Sequence, residues 1–208
     1  KTGSPLHIEA EVTYGAGMAG RIYNRILDTE QFGISEDTTI QLGNAGTNIT
    51  LASMEVWAGI TPYIVPTTSA STREFTLFRN ADASWNYTTT ASTAFNNTHF
   101  DNGTGMVAFT TCKFGIVDVY RGVEAQDHIY FVNEPNEYDS RVLAEAVTSL
   151  QQVPEMIKAH AIFVGRVVFQ ENNVSAIYPV SFVSGTSFTA SNPIQTHNHL
   201  GGLDGGSA

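Results

Sequence analysis

Apolar and polar residues alternate through most of the middle of this chain. "TTIQLG", starting at Thr38, sets Ile40 and Leu42 two apart and runs into a Gly-Asn-Ala-Gly turn. Residues 47–66 carry Ile49, Leu51, Met54, Val56, Ile60 and Ile64, with Pro62 and Pro66 as breaks. In "STREFTLFRN", Phe75 and Leu77 share one parity and Phe78 takes the other, and the run stops at Asn80. "SWNYTTT" is short, aromatic and Thr-rich, which suits a half-exposed strand. Asn102-Gly103 predicts a hairpin turn. Residues 106–122, "MVAFTTCKFGIVDVYRG", make the longest strand candidate, with Gly115 as the expected bulge. "DHIYFVNEPN" closes the set.

The period changes at residue 139. "DSRVLAEAVTSLQQ" opens on Asp139-Ser140, good capping residues, and sets Leu143, Val147 and Leu150 at helical spacing. This predicts a helix near 140–152, with Pro154 ending it or opening a turn. Residues 158–183 then read as two strands around Glu171-Asn172-Asn173, a hairpin. The expected fold class is mainly β with one helix (α+β): a β-sandwich-like globular domain over 37–183. Residues 1–36 fit neither pattern, mixing an alternating "HIEAEV" with the glycine-broken "GAGMAGRIYNRIL". They are expected to form an N-terminal arm or attachment segment. Residues 184–208 have few large apolar side chains and cannot build a core alone.

Composition narrows the classes of function. Hydrophobic residues are 42%, enough for a core, but charged residues are only 14%, and polarity comes from Thr, Ser, Asn and Gly. That mixture belongs to β-rich extracellular or virion proteins more than to cytosolic enzymes. The net charge of -10 repels phosphate backbones and argues against nucleic-acid partners. No apolar run approaches the ~18 residues of a membrane-spanning helix, so no membrane insertion is expected.

Candidate chemistry is sparse. The single cysteine, Cys112, sits in an alternating stretch and reads as a buried structural thiol. "GAGMAG" (15–20) has the G-x-G-x-x-G spacing of a dinucleotide loop, but no βαβ alternation follows it, so a flexible or close-packed glycine segment is the preferred reading. Glu134, Glu137 and Asp139 cluster in "NEPNEYDS". Paired carboxylates hydrolyse glycosides or bind Ca²⁺, whereas a solvated loop leading into a helix cap needs neither. No catalytic motif is present, and no enzymatic activity is expected. The aromatics Trp57, Trp85 and Tyr87, with Tyr63, are candidates for a glycan-stacking platform or for core anchors. On an extended strand His197 and His199 face the same side. Around a threefold axis they supply six imidazoles, an octahedral set for iron, nickel or zinc. Alternatively both face solvent, or Asn198 is the residue that matters.

The last stretch, "THNHLGGLDGG", resembles the HN-x-L-x-G-L-x-GG segment of tail fibres and fibre-like proteins of tailed bacteriophages. The matching positions are His197, Asn198, Leu200, Gly202, Leu203, Gly205 and Gly206. The resemblance covers about a dozen of the 208 residues. It implies that 184–208 form an intertwined, glycine-rich trimeric stalk in which three backbones approach one axis. It also implies a homotrimeric structural virion protein, exposed to the medium, that binds other tail or capsid proteins and a host surface glycan or protein receptor. Some phage fibre tips hold iron through His-x-His pairs from three chains. His197 and His199 form one such pair, so iron on the threefold axis is the cofactor the resemblance allows. A carbohydrate-binding module or adhesin using the exposed aromatics is the alternative, and a glycan hydrolase on Glu134, Glu137 or Asp139 a third.

Overall fold

A computed structural model describes residues 32–34, 40–58, 61–90, 93–123, 127–148 and 152–181. Of the expected arm 1–36, residues 1–31 with the glycine segment, and 35–36, lie outside the described residues, as does the segment 182–208 with His197, Asn198, His199, Leu200 and the final glycines. The described part is mostly strand. In chain order the strands are β1 (Phe32–Ile34), β2 (Leu42–Ala45), β3 (Asn48–Leu51), β4 (Met54–Ala58), β5 (Thr61–Val65), β6 (Arg73–Arg79) and β7 (Trp85–Thr90). Then come β8 (His99–Asp101), β9 (Met106–Ala108), β10 (Phe114–Gly122) and β11 (His128–Asn133). Two short helices follow, α1 (Arg141–Glu145) and α2 (Glu155–His160), before β12 (Ala161–Gln170) and β13 (Asn173–Ser181).

Six strands form the central sheet in the order β13-β12-β10-β11-β6-β7. Neighbours pair antiparallel except β11 and β6, which run parallel. Period-two alternation divides its side chains between two faces. On one face Val117, Val119, Ile129, Phe131, Val167 and Phe169 meet Ile49, Leu51, Met54 and Val56 from the small sheets β2-β3 and β1-β4-β5. This is the sandwich-like half of the fold, and Phe95 seals it, 5.0 Å from Phe169 and 6.1 Å from Phe131 by ring centroid. On the other face α1 and α2 pack on β10 and β12, burying Ala144 against Ile116 and Val168, and Ile157 among Tyr120, Tyr130, Val132 and Ala161.

Turn chemistry follows the residue types. Asn172, at φ 50, reverses the chain between β12 and β13, a left-handed position that Asn tolerates better than most side chains. Gly103, at φ 86, sits in the β8–β9 hairpin, where Asn102 N–H donates to the Gly105 carbonyl at 3.1 Å. The register of the parallel pair is set at its start by a charged brace. Fully buried Arg121 donates to the carbonyls of His128 (2.7 Å) and Pro66 (3.1 Å) and pairs with Asp127. Asp127 also accepts from Thr72 Oγ1 at 2.7 Å, and its carbonyl accepts from Arg73 N–H at 2.8 Å.

Four sequence expectations change. Gly115 is not at the bulge, which lies between Val119 and Tyr120 opposite Gly165. Gly115 is instead required by packing, since a Cβ there would stand 2.6 Å from the tip of Phe169 and against Phe109. Cys112 is exposed, in a turn between β9 and β10 at φ 67. The alternation across 106–122 is interrupted there, with Cys112 N–H donating to Glu171 at 3.3 Å. The expected helix over 140–152 stops at Glu145. Ser140 caps it, accepting from Leu143 N–H at 3.3 Å, and at its end Val147 N–H turns to the Ala144 carbonyl at 3.2 Å, while buried Arg166 donates to the Val147 carbonyl. Leu143 points outward and Ala144 inward. Pro154 caps a second helix, α2, its carbonyl accepting from Ile157 N–H at 2.9 Å.

Candidate functional site: an aromatic sheet face

The helices cover β10 and β12, but β6 and β7 carry a row of aromatic side chains at the surface. Alternation along "WNYTTT" puts Trp85 and Tyr87 on the face that also carries Phe75 and Leu77 of β6, through the register pairs Leu77↔Tyr87 and Arg79↔Trp85. The Phe75 ring is the hub. It stands 5.6 Å from Tyr87, 5.0 Å edge-on from His128 and 5.3 Å stacked on Tyr130. His128 Nδ1 and the Tyr130 hydroxyl are 3.3 Å apart. The Arg79 guanidinium lies 5.3 Å over the Trp85 ring, and its Nε is 3.6 Å from buried Asp101. Tyr87 is 54% exposed, and Phe75, Trp85 and His128 are half-buried.

An exposed ring such as Tyr87 stacks on flat apolar surfaces such as the C–H face of a pyranose, with the half-buried Phe75, Trp85 and His128 beside it, and its hydroxyl and the Arg79 guanidinium supply polar contacts. The two sequence candidates on β7, Trp85 and Tyr87, therefore come together. Trp57 does not join them. It stands on β4, its register partner is Pro62, and it faces away from the core into which Met54 and Val56 point. Tyr63, on β5, is exposed in that same small sheet. Phe75 and His128, with buried Tyr130 supporting them, are residues of this face that sequence reasoning missed. Their alternation was visible, but nothing local indicates that β11 lies parallel beside β6.

The three loop carboxylates each bind different partners. Glu134 is buried and accepts from Asn136 Nδ2 at 3.2 Å and from the Tyr138 hydroxyl at 3.3 Å. Glu137 accepts from Thr110 N–H (2.8 Å) and its hydroxyl (2.7 Å), which holds it below the usual carboxylate range. Asp139 pairs with Lys113 at the surface. Burial raises Glu134 above the usual carboxylate range, and burial together with the adjacent Glu134 pushes Tyr138 up to about 12. A carboxyl raised on folding binds more protons in the folded than in the unfolded chain. Its contribution therefore falls as pH rises from the ordinary carboxylate value through the raised one. Glu134→Gln keeps an acceptor for Tyr138 and Asn136 without a charge. Chemical denaturation across pH 4–8 is expected to show a higher stability at neutral pH and a shallower decline from acid; an unchanged profile would remove this role for Glu134.

A shallow groove of about 350 Å³ beside β3, lined by Asn48, Thr50, Thr68, Ser69 and Thr93, holds no ionisable group among the residues that form it. Among the described residues no three His, Cys, Asp or Glu side chains gather as a metal site, and no helix is long and apolar enough to cross a membrane. The proposed metal pair His197 and His199 lies outside the described residues. Comparison with protein-family models, with curated proteins and with solved structures finds no match for this chain.

Proposed function

We propose that this chain is a fibre-like structural component of a tailed-phage virion, a homotrimer through 184–208, exposed to the medium and adhering to the host surface. The observation that carries the reading is the segment "HNHLGGLDGG", whose resemblance to the phage-fibre segment implies three backbones around one axis. The aromatic face on β6, β7 and β11 supplies an adhesive surface on a rigid sheet, and a surface glycan is the ligand its chemistry fits. Attachment to tail or capsid proteins belongs to the rest of the surface, and the work is mechanical. Iron on the threefold axis, held by His197 and His199, belongs to the same proposal.

Light scattering on the full chain, with metal analysis of the same sample, tests it. The expected mass is three times the 22.5 kDa chain. A trimer without iron would keep the fibre and remove the metal, and a monomer would sink the fibre reading. The aromatic face by itself also favours the second reading, a carbohydrate-binding module or adhesin, which a monomer that still binds glycan would support. In either case Tyr87→Ala is expected to weaken binding to host surface polysaccharide by about tenfold or more. An equal loss from Trp57→Ala would instead move recognition to β4.

A further inference from the structure

The chain carries 20 aspartates and glutamates against 10 lysines and arginines, and seven of those cations lie among the described residues. Arg79, Lys113, Arg121, Arg141, Lys158 and Arg166 each pair with a carboxylate. Among the described residues Arg73 is the one lysine or arginine that does not. It is exposed, at the start of β6, two residues before Phe75. Alternation sets it on the face of Phe75 and Leu77, and it is the register partner of His128, whose ring stands 5.0 Å from Phe75. The carboxylates next to it in the chain and across the register serve other groups. Glu74 is buried on the opposite face with Thr76, and Asp127, whose carbonyl accepts the Arg73 N–H, holds Arg121 and Thr72.

We propose that the glycan bound on this face is acidic, its carboxylate held by the Arg73 guanidinium; the inference rests on the glycan-binding reading of the face and is the same for a monomer or a trimer. A planar guanidinium offers a carboxylate two parallel N–H groups, which orients the sugar as well as answering its charge. The other arginine of the face is already engaged, since Arg79 lies over Trp85 with buried Asp101 beside it. Tyr87, Phe75 and His128 follow one another at ring separations of 5.6 and 5.0 Å, and His128 adjoins Arg73 across the register. A disaccharide stacked on Tyr87 and extended along this row reaches Arg73. The net charge of -10 does not prevent this, because salt confines repulsion from the rest of the chain to about 8 Å under physiological conditions. Neutral sugars stack on the same rings but give Arg73 only hydroxyl acceptors.

The test sets the full chain against immobilised oligomers of galacturonate, glucuronate and mannuronate, each beside its methyl ester, which keeps the rings and removes the charge. Wild type is expected to bind at least one of the acids about tenfold or more tighter than its ester. Salt at about 1 M, where the Debye length is about 3 Å, should narrow that preference. Arg73→Gln is expected to abolish it, with circular dichroism unchanged because the site is exposed and unpaired among the described residues. Lys113→Gln removes the same charge beyond the opposite end of β10 and should keep the preference. Tyr87→Ala should weaken acid and ester alike. No binding to any of the acids, esters bound as tightly as acids, or an Arg73→Gln chain that still prefers the acid would each overturn the acidic ligand. If Tyr87→Ala still weakens binding to host polysaccharide in those cases, the glycan-binding face stands; if it does not, that reading falls as well.

Discussion

Asp118→Ala is expected to destabilise the domain by about 3–5 kcal/mol, the usual cost of leaving one member of a buried ion pair alone. Asp118 and Arg166 are register partners on β10 and β12, and both are buried beneath α1. Arg166 Nε donates to Oδ1 at 2.7 Å and Nη2 to Oδ2 at 3.2 Å, a two-pronged pair, while Nη1 takes the carbonyl of Val147. Without Asp118, a guanidinium that stays charged at every relevant pH sits in the sheet without its anion. Arg166→Met should cost a similar amount by stranding the carboxylate, and it should also release the loop after α1. Asp118→Leu combined with Arg166→Met should recover most of the loss, since two apolar side chains of similar bulk need no compensation. Urea denaturation of the three variants checks this. A single variant within about 1 kcal/mol of wild type would mean that water reaches the pair and solvates what remains.

Gly165→Ala is expected to cost about 3–5 kcal/mol, through overpacking and backbone strain acting together. Gly165 lies at the bulge in β12 opposite Val119, at φ 155. A Cβ there would fall on the carbonyl oxygen of Val180, 3.2 Å from the Ser181 Cα and 2.9 Å from Leu42 Cδ2. Two of those neighbours are backbone of an adjacent strand and cannot turn aside. Gly46→Ala is the control. It has positive φ but open space around it, and it should cost only the backbone preference. Thermal unfolding that ranks Gly46→Ala at or above Gly165→Ala would contradict the packing argument.

The same bulge shows where sequence reading stops. In "AIFVGRVVFQ" Val164 and Val167 both enter the sandwich core although their numbers differ in parity, because the bulge shifts the phase of the strand between them. A strict period of two sends one of them the wrong way. Cys112 is the converse case: the alternation around it is regular in letters, yet the chain turns there at φ 67 and exposes it. At α1 helix propensity runs on through Val147, but the chain closes after Glu145, with Val147 N–H on the Ala144 carbonyl and a side chain from β12 on the Val147 carbonyl. The aromatic face was half legible. Trp85 and Tyr87 lie two apart on one strand, whereas Phe75, His128 and Tyr130 reach them only through the parallel pairing of β6 with β11.

The mainly β character, the β12–β13 hairpin with Asn172 at its turn, the β8–β9 hairpin at Asn102-Gly103 and the cap at Ser140 are written in the order of residues along the chain. All of these depend on residues within a few positions of one another, where alternation, turn conformation and capping act. The parallel neighbour of β6, the division of the sheet into a sandwich face and a helix face, and the early end of α1 arise from contacts between distant segments. So does the separation of Trp57 from Trp85 and Tyr87. These depend on which distant segments share a surface, and that is set by burial summed over the whole sheet and by single charged contacts such as Arg121 with Asp127 and Arg166 with Asp118. No local pattern along the chain encodes such pairings.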